Sequence, residues 1–340
     1  MSRLKGALIG FGKVAEMAHL PAFAARNELA LLAVAEPRED RRAQARALIP
    51  RVRLYPDLGT LLKEEPDLDF VDICTPPAEH PGMCLAALNR GLHVLCEKPL
   101  TLDLKELEDL DQAAARTGRA LVTVHNWKFA PLLRASLNLL KAGAIGKLTH
   151  LDWQVLRPPG SGGGLTSWRT EASQARGGIL VDHGWHAFYL AQAWAGEEPE
   201  ALKTRLTRPD PTASGPETEA EVGLKFPQAS GRIFLTWQAS HRANLGRLAG
   251  TEGEMLLEDD RLVLARAGSP EEVISFPAKL SAGSHHPEWM AGVLGEFLGE
   301  IRQPELRGKN LREAAGCARL IESAYRSWEA GSVWLPCRPE

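Results

Sequence analysis

The chain has 340 residues, 44% apolar and 24% charged, with a formal net charge of -3. That length exceeds one ordinary core, so two domains are expected. A near-balanced charge without a long basic run gives no reason to expect nucleic acid or an anionic membrane as partner. No apolar stretch reaches the roughly 18 residues that a membrane span requires. The start, Met1-Ser2-Arg3-Leu4-Lys5, runs into a short apolar strand rather than a signal-peptide core. Cys74, Cys84, Cys96, Cys317 and Cys337 are scattered, odd in number and without metal-ligand spacing, so they read as reduced thiols of a cytoplasmic protein.

The first 125 residues alternate short apolar runs with helical patterns, the signature of a doubly wound parallel sheet. Strands are expected at Ala7-Ile9, Leu29-Ala35, near Val52-Leu54, and at Phe70-Cys74, His93-Cys96 and Ala120-Val124. Helices are expected from Val14 to Ala25, from Arg38 to Ala47, from Pro81 to a left-handed Gly91, and from Asp103, where Glu106 has capping-box spacing.

Past Asn126 the pattern changes to period-2 alternation, as in Ala220, Val222, Leu224 and Phe226, and again in Ile233, Leu235 and Trp237. This predicts one large, mostly antiparallel open sheet. Further strands are expected at Leu148-Leu156, Ala201-Leu206, Glu254-Leu257, Leu262-Ala265 and Val273-Phe276. Two terminal helices follow. One carries a stripe of Met290, Val293, Leu294, Phe297 and Ile301; the other opens at Asn310 with Glu313 behind it and ends at Gly331. The fold class is therefore α/β, with residues 1–125 a Rossmann dinucleotide-binding domain. Residues 126–340 form an α/β substrate-binding and oligomerisation domain, whose terminal helices can pack back on the first.

Three local patterns carry chemistry. Gly10-Phe11-Gly12-Lys13-Val14-Ala15 fits a Gly-rich phosphate turn between a strand and a helix. The helix N-terminus offers unpaired N–H groups to a pyrophosphate. Glu36 ends the second strand where a carboxylate would hold the adenosine ribose hydroxyls and repel a 2′-phosphate. NAD is therefore favoured over NADP, although Arg38 two residues on could pair with that phosphate.

Lys98 follows Glu97 at the end of an apolar strand and precedes Pro99. An ammonium there would stabilise alkoxide character as hydride leaves carbon. Asp182 and His186 lie at i,i+4 spacing, and a helix starting near Asp182 sets them on one face. The histidine suits proton exchange with a carbinol hydroxyl. Asp182, His183, His186 and the His285-His286 pair could also be drawn as a metal site. Adjacent histidines on a helix point apart, however, and no metal is expected.

Together these residues resemble the Gfo/Idh/MocA oxidoreductase family. The likeness runs from the N-terminal cradle through Cys74-Thr75-Pro76-Pro77 with His80 and Gly91-Leu92-His93-Val94-Leu95-Cys96-Glu97-Lys98-Pro99. It continues through Gly143-Ala144-Ile145-Gly146 and Gly177-Gly178 to the Asp182/His186 helix. The resemblance implies Lys98, Asp182 and His186 as catalytic residues, Glu97 as the neighbour of the lysine, and Thr75, Pro76 and His80 in the nicotinamide loop. It also implies a homodimer or homotetramer through the second sheet.

Two stretches depart from the family pattern. Many relatives carry arginines and an aspartate at Asn126-Trp127-Lys128-Phe129-Ala130-Pro131, and another aspartate at Tyr189. Trp127 and Lys128 are thus expected on a substrate wall. The loop from Arg157 through Gly164 to Trp168 and Arg169 is a candidate lid, with Trp168 to stack on a sugar and Arg169 to hold an anion. The expected activity is NAD(P)-dependent hydride transfer on a sugar, cyclitol or related polyol. Two alternatives stand beside it: glycoside cleavage with a retained cofactor and no net redox change, and a non-catalytic sensor of NAD(P) or sugar.

Overall fold

Six short strands carry the first part of the chain: β1 (Leu4–Ile9), β2 (Leu29–Ala35), β3 (Arg53–Tyr55), β4 (Phe70–Ile73), β5 (His93–Cys96) and β6 (Leu121–Thr123). In the computed structural model, which describes residues 3–160, 177–209 and 215–337, they form one parallel sheet in the order β3-β2-β1-β4-β5-β6. β4 and β5 are buried at every position, as strands covered on both faces must be. The order reverses between β1 and β4. The loops leaving their carboxyl ends diverge there, which is where doubly wound sheets hold ligands.

The connecting helices are α1 (Leu20–Ala24), which continues a π turn at Ala15–His19, then α2 (Glu39–Leu48), α3 (Leu58–Glu64), α4 (His80–Asn89) and α5 (Leu104–Thr117). The expected single helix from Val14 is thus a π turn followed by a short α-helix. α3 is not among the expected helices. It is seven residues long and rests on its cap, Asp57, whose carboxylate accepts the Thr60 N–H at 2.8 Å.

The chain divides into two compact units: Met1–Asn126 with His285–Ala315, and Trp127–Ser284 with Gly316–Glu340. The second unit opens with α6 (Pro131–Lys141), β7 (Leu148–Leu156) and α7 (Trp185–Ala195), the last preceded by a π turn at Leu180–Gly184. Strands β8 (Ala201–Thr207), β9 (Glu219–Lys225), β10 (Ser230–Thr236), β11 (Ala243–Gly250), β12 (Gly253–Glu258), β13 (Arg261–Arg266) and β14 (Glu272–Ser275) follow. Helices α8 (Pro287–Arg302) and α9 (Lys309–Glu329) and the short β15 (Leu335–Pro336) complete the chain.

Among the described residues the second sheet has nine strands in the order β14-β13-β12-β11-β7-β10-β9-β8-β15, with only the β7/β10 pair parallel. β8 and β9 bury alternate residues, as a sheet with unlike faces requires. Sequence periodicity misses β11 because Gly246 breaks it. A Cβ there would lie 2.8 Å from the Trp153 ring, so the strand gives up a side chain to seat the indole.

In the first unit α8 turns its stripe inward. Phe297 meets Phe70 edge-on at 5.7 Å, and Phe70 stacks on Phe23 at 5.8 Å. The helix expected to open at Asn310 starts one residue earlier, at Lys309. Asn310 instead completes the edge of β6, its Oδ1 accepting the Thr123 N–H at 2.7 Å and its Nδ2 donating to the Thr123 carbonyl at 3.1 Å. Glu313 pairs with His125 Nδ1 at 2.7 Å. Glu300 supplies the cap, accepting the Gly308 and Asn310 N–H groups at 3.0 Å each.

Candidate active site

β1 ends at Gly10, whose φ of +84° only glycine adopts without strain; a Cβ would also lie 3.0 Å from the Cys74 carbonyl. Gly12 faces open space, with nothing within 4 Å of a built Cβ. Ala15 and Phe11 are fully buried, while Lys13 is exposed and Val14 partly so. The turn therefore presents bare backbone at Gly12 and anchors itself through its apolar residues. That arrangement fits a pyrophosphate.

Glu36 stands at the carboxyl end of β2 and is 7% exposed. Its carboxylate accepts the Phe11 N–H at 2.8 Å and the Arg38 N–H at 3.0 Å, which ties the glycine turn to the second strand. The Arg38 guanidinium pairs with Asp40 at 2.6 Å. Burial and the neighbouring Glu36 charge push the Glu79 carboxyl up. Glu36 and Glu79 thus share one electronegative corner.

Thr75 and Pro76 follow β4, and Glu97 and Lys98 follow β5; the Lys98–Pro99 peptide is cis. His80 joins these two loops, its Nδ1 lying 2.7 Å from the Pro99 carbonyl and its Nε2 2.9 Å from the Thr75 carbonyl. Burial pushes the pKa of this ring down, with the carbonyls pulling the other way. His80 therefore holds the loop backbone in place from within.

Sequence reasoning misses the group beneath Glu97. The His19 ring lies between Asp72 Oδ2 at 2.7 Å and Glu97 Oε1 at 2.9 Å, while Glu97 Oε2 accepts the Lys98 N–H at 3.1 Å. Burial opposes charge on this ring, yet the adjacent Asp72 carboxylate raises its pKa well above 6.5. Burial likewise raises the Asp72 carboxyl, and despite burial the His19 hydrogen bond lowers that of Glu97. An imidazolium donating from both nitrogens satisfies all three groups. Cys74 Sγ lies 3.5 Å from His19 Nδ1, and burial pushes its thiol up to about 12. His19, Asp72 and Cys74 place possible ligand atoms within 4.8 Å of one another, and these hydrogen bonds account for their proximity. The signal was an aspartate inside an apolar strand, which cannot be buried without a donor.

In the second unit the helix bearing Asp182 begins at residue 179, earlier than expected, and its first turn is π rather than α. A π turn spends one extra residue and so re-aims the side chains in it; such turns recur at functional sites. Glu217 caps the helix, accepting the Gly178 N–H at 2.9 Å, the Leu180 N–H at 3.1 Å and the Tyr325 hydroxyl at 3.0 Å. Burial raises the Glu217 carboxyl against those donors. Asp182 lies 3.8 Å from His183 Nε2. Trp127, in the 3-10 turn Asn126–Phe129, stacks flat on His186 at 4.7 Å and 10°, and lies 6.2 Å from the tilted His183 ring. Lys128 is half-buried, with its ammonium 6.0 Å from the Phe129 ring centroid.

Arg157 is not a lid residue. It is 2% exposed and donates to the Leu156 and Ala243 carbonyls and to Asn244 Oδ1 at 2.8, 3.0 and 3.0 Å. Burial, then the nearby Arg242 charge, lowers its pKa to about 10, partly offset by Asp259 and Asp182. Trp168 and Arg169 lie outside the described residues. Of the histidine pair drawn for a metal site, His286 stacks on Trp289 at 3.5 Å and meets Glu288 at 3.0 Å.

Residues 4–125 match the family model described as "Oxidoreductase family, NAD-binding Rossmann fold", and residues 134–256 match the GFO/IDH/MocA C-terminal domain. The chain belongs to the Gfo/Idh/MocA family. Similar family members include a 1,5-anhydro-D-fructose reductase of Ensifer adhaerens, 35% identical over 195 residues, which are 56% of this chain and 57% of the relative. Another is inositol 2-dehydrogenase 4 of Saccharopolyspora erythraea, 31% identical over 210 residues, 61% of this chain and 57% of that one. The chain thus spans a little over half the length of these curated relatives. An inositol dehydrogenase homologue from Azotobacter vinelandii, solved with NAD+, shares the fold at a TM-score of 0.86 and 20% identity. It covers 98% of this chain and 97% of its own. A levoglucosan dehydrogenase solved with NADH and levoglucosan does so at 0.85 and 22%, covering 99% and 100%. Among the described residues, no helix is long and apolar enough to cross a membrane.

Proposed function

We propose that the protein is an NAD-dependent dehydrogenase or reductase acting on a secondary alcohol, or the matching ketone, of a sugar, cyclitol or related polyol. The observation that carries this reading is the bare Gly12 turn hydrogen-bonded to a buried Glu36 carboxylate at the switch point of the sheet. When bound, NAD supplies the acceptor for a hydride leaving the carbinol carbon. Glu36 takes the adenosine ribose hydroxyls and, with Glu79 close by, disfavours a 2′-phosphate. Arg38, paired with Asp40, is drawn away from that role.

Lys98 stabilises the oxyanion that develops on the substrate. His186 takes the hydroxyl proton, and Asp182 orients a substrate hydroxyl. The relatives named above act on an anhydro-sugar and an inositol, which supports the substrate class. The test is to follow reduced nicotinamide while the protein meets NAD+ with myo-inositol or levoglucosan, and NADH with 1,5-anhydro-D-fructose. Turnover of one of these supports the reading. A protein that binds NADH yet leaves every rate at the no-enzyme level contradicts it.

A further inference from the structure

Stacking on Trp127 sets the plane of the His186 ring but not which edge faces outward. A half-turn about Cβ–Cγ keeps the stack and exchanges Nδ1 with Cδ2 and Nε2 with Cε1, and the terminal torsion of histidine permits both settings. Tyr189, one turn further along α7, distinguishes them. Its hydroxyl lies 2.8 Å from His186 Nδ1, and its ring stands nearly perpendicular to the imidazole at 5.7 Å and 80°. That hydroxyl is itself fixed from the backbone, because it accepts the Trp127 N–H at 3.0 Å. Tyr189 is fully buried. Behind the assembly, Trp127 meets Trp153 edge-on at 6.4 Å, Trp153 meets Trp194 at 5.3 Å, and Trp194 Nε1 donates to Ser136 Oγ at 3.0 Å.

We propose that Tyr189 is a positioning residue of the reaction: it holds His186 by Nδ1, so that Nε2 is the nitrogen that exchanges the substrate proton. The proposal rests on the reading of His186 as the acid–base group. The hydroxyl oxygen selects the tautomer that the reaction needs: the neutral ring keeps its proton on Nδ1 and donates it to Tyr189, which leaves the Nε2 lone pair for the substrate proton, and the charged ring keeps the same Nδ1–H donation. With two lone pairs, that oxygen accepts both this bond and the Trp127 N–H.

The test labels histidine with a nitrogen isotope and follows the His186 ring signals by NMR, assigned with His186→Gln. In Tyr189→Phe the His186 signals move while those of His19 and His80 stay. With a polyol that the wild type oxidises, kcat falls about tenfold, which corresponds to about 1.4 kcal/mol, while KM changes by less than about twofold. Unchanged ring signals in Tyr189→Phe overturn the proposal, whatever happens to kcat. Moved signals with an unchanged kcat overturn it as well. Should that variant not fold, incorporating 3-fluorotyrosine at the three tyrosines acidifies the hydroxyl without removing it. The His186 signals then shift, and their failure to do so overturns the proposal. A wild type that turns over no polyol refutes the activity instead, and the ring signals still report on the Tyr189 contact.

Discussion

Lys98 and His19 make opposite demands on their surroundings. Lys98 is half-buried at the carboxyl edge of the parallel sheet, and its proposed task is carried by one ammonium. Lys98→Ala is expected to lower kcat by about 10²–10³-fold, the usual cost of losing one oxyanion donor. NADH affinity should change little, because the glycine turn and Glu36 are the proposed dinucleotide contacts; steady-state rates and a fluorescence titration check the two halves. His19 is wholly buried between two carboxylates. His19→Leu strands both of them and should cost about 3–5 kcal/mol, read as a fall in Tm. The pKa of His19 is raised in the fold. Its contribution is therefore complete below its unfolded value of about 6.5 and is lost as pH rises through the higher folded value. Wild-type Tm should fall over that alkaline range, and His19→Gln should flatten this part of the profile.

At the scale of elements, the helix that carries Asp182 and His186 depends on how it starts. Gly178 leaves room for the Glu217 backbone, and a Cβ there would sit 2.1 Å from the Glu217 carbonyl oxygen. Gly178→Ala must therefore displace Glu217, whose carboxylate holds the first N–H groups of the helix. The expected result is a loss of both thermal stability and kcat, with NADH affinity retained; a variant with wild-type kcat would show that the cap does not govern the site. Such dependences were not legible in the sequence. The periodic elements were: near-continuous apolar runs gave β2, β4 and β5, and alternation gave β8 to β10, because those patterns follow from which faces are buried. The π turns, the Glu217 cap and the Asn310 pairing to Thr123 depend on partners far along the chain. Thr123 and Asn310 are 187 positions apart, and local spacing cannot encode such a contact.

For the whole molecule, the residue types at the candidate site were legible and their arrangement was not. Gly10, Gly12, Glu36 and Lys98 announce themselves because a strand leads into each. Nothing local reveals that Glu36 would be tied to Phe11, that His19 would sit under Glu97, or that Tyr189 would reach His186. Those contacts are set by burial, which forces every enclosed polar group to find a partner wherever the fold places one. The proposed hydride transfer requires one property above all, the binding of a nicotinamide dinucleotide with a free 2′-hydroxyl. The most direct measurement is a titration of the purified protein with NADH and with NADPH, followed by nicotinamide fluorescence, after any co-purifying ligand has been released and identified. Saturable binding of NADH, at least about tenfold tighter than NADPH and so worth about 1.4 kcal/mol, is the expected result, with Glu36→Ala narrowing the ratio. Binding of neither dinucleotide, or a preference for NADPH that Glu36→Ala leaves unchanged, would contradict it.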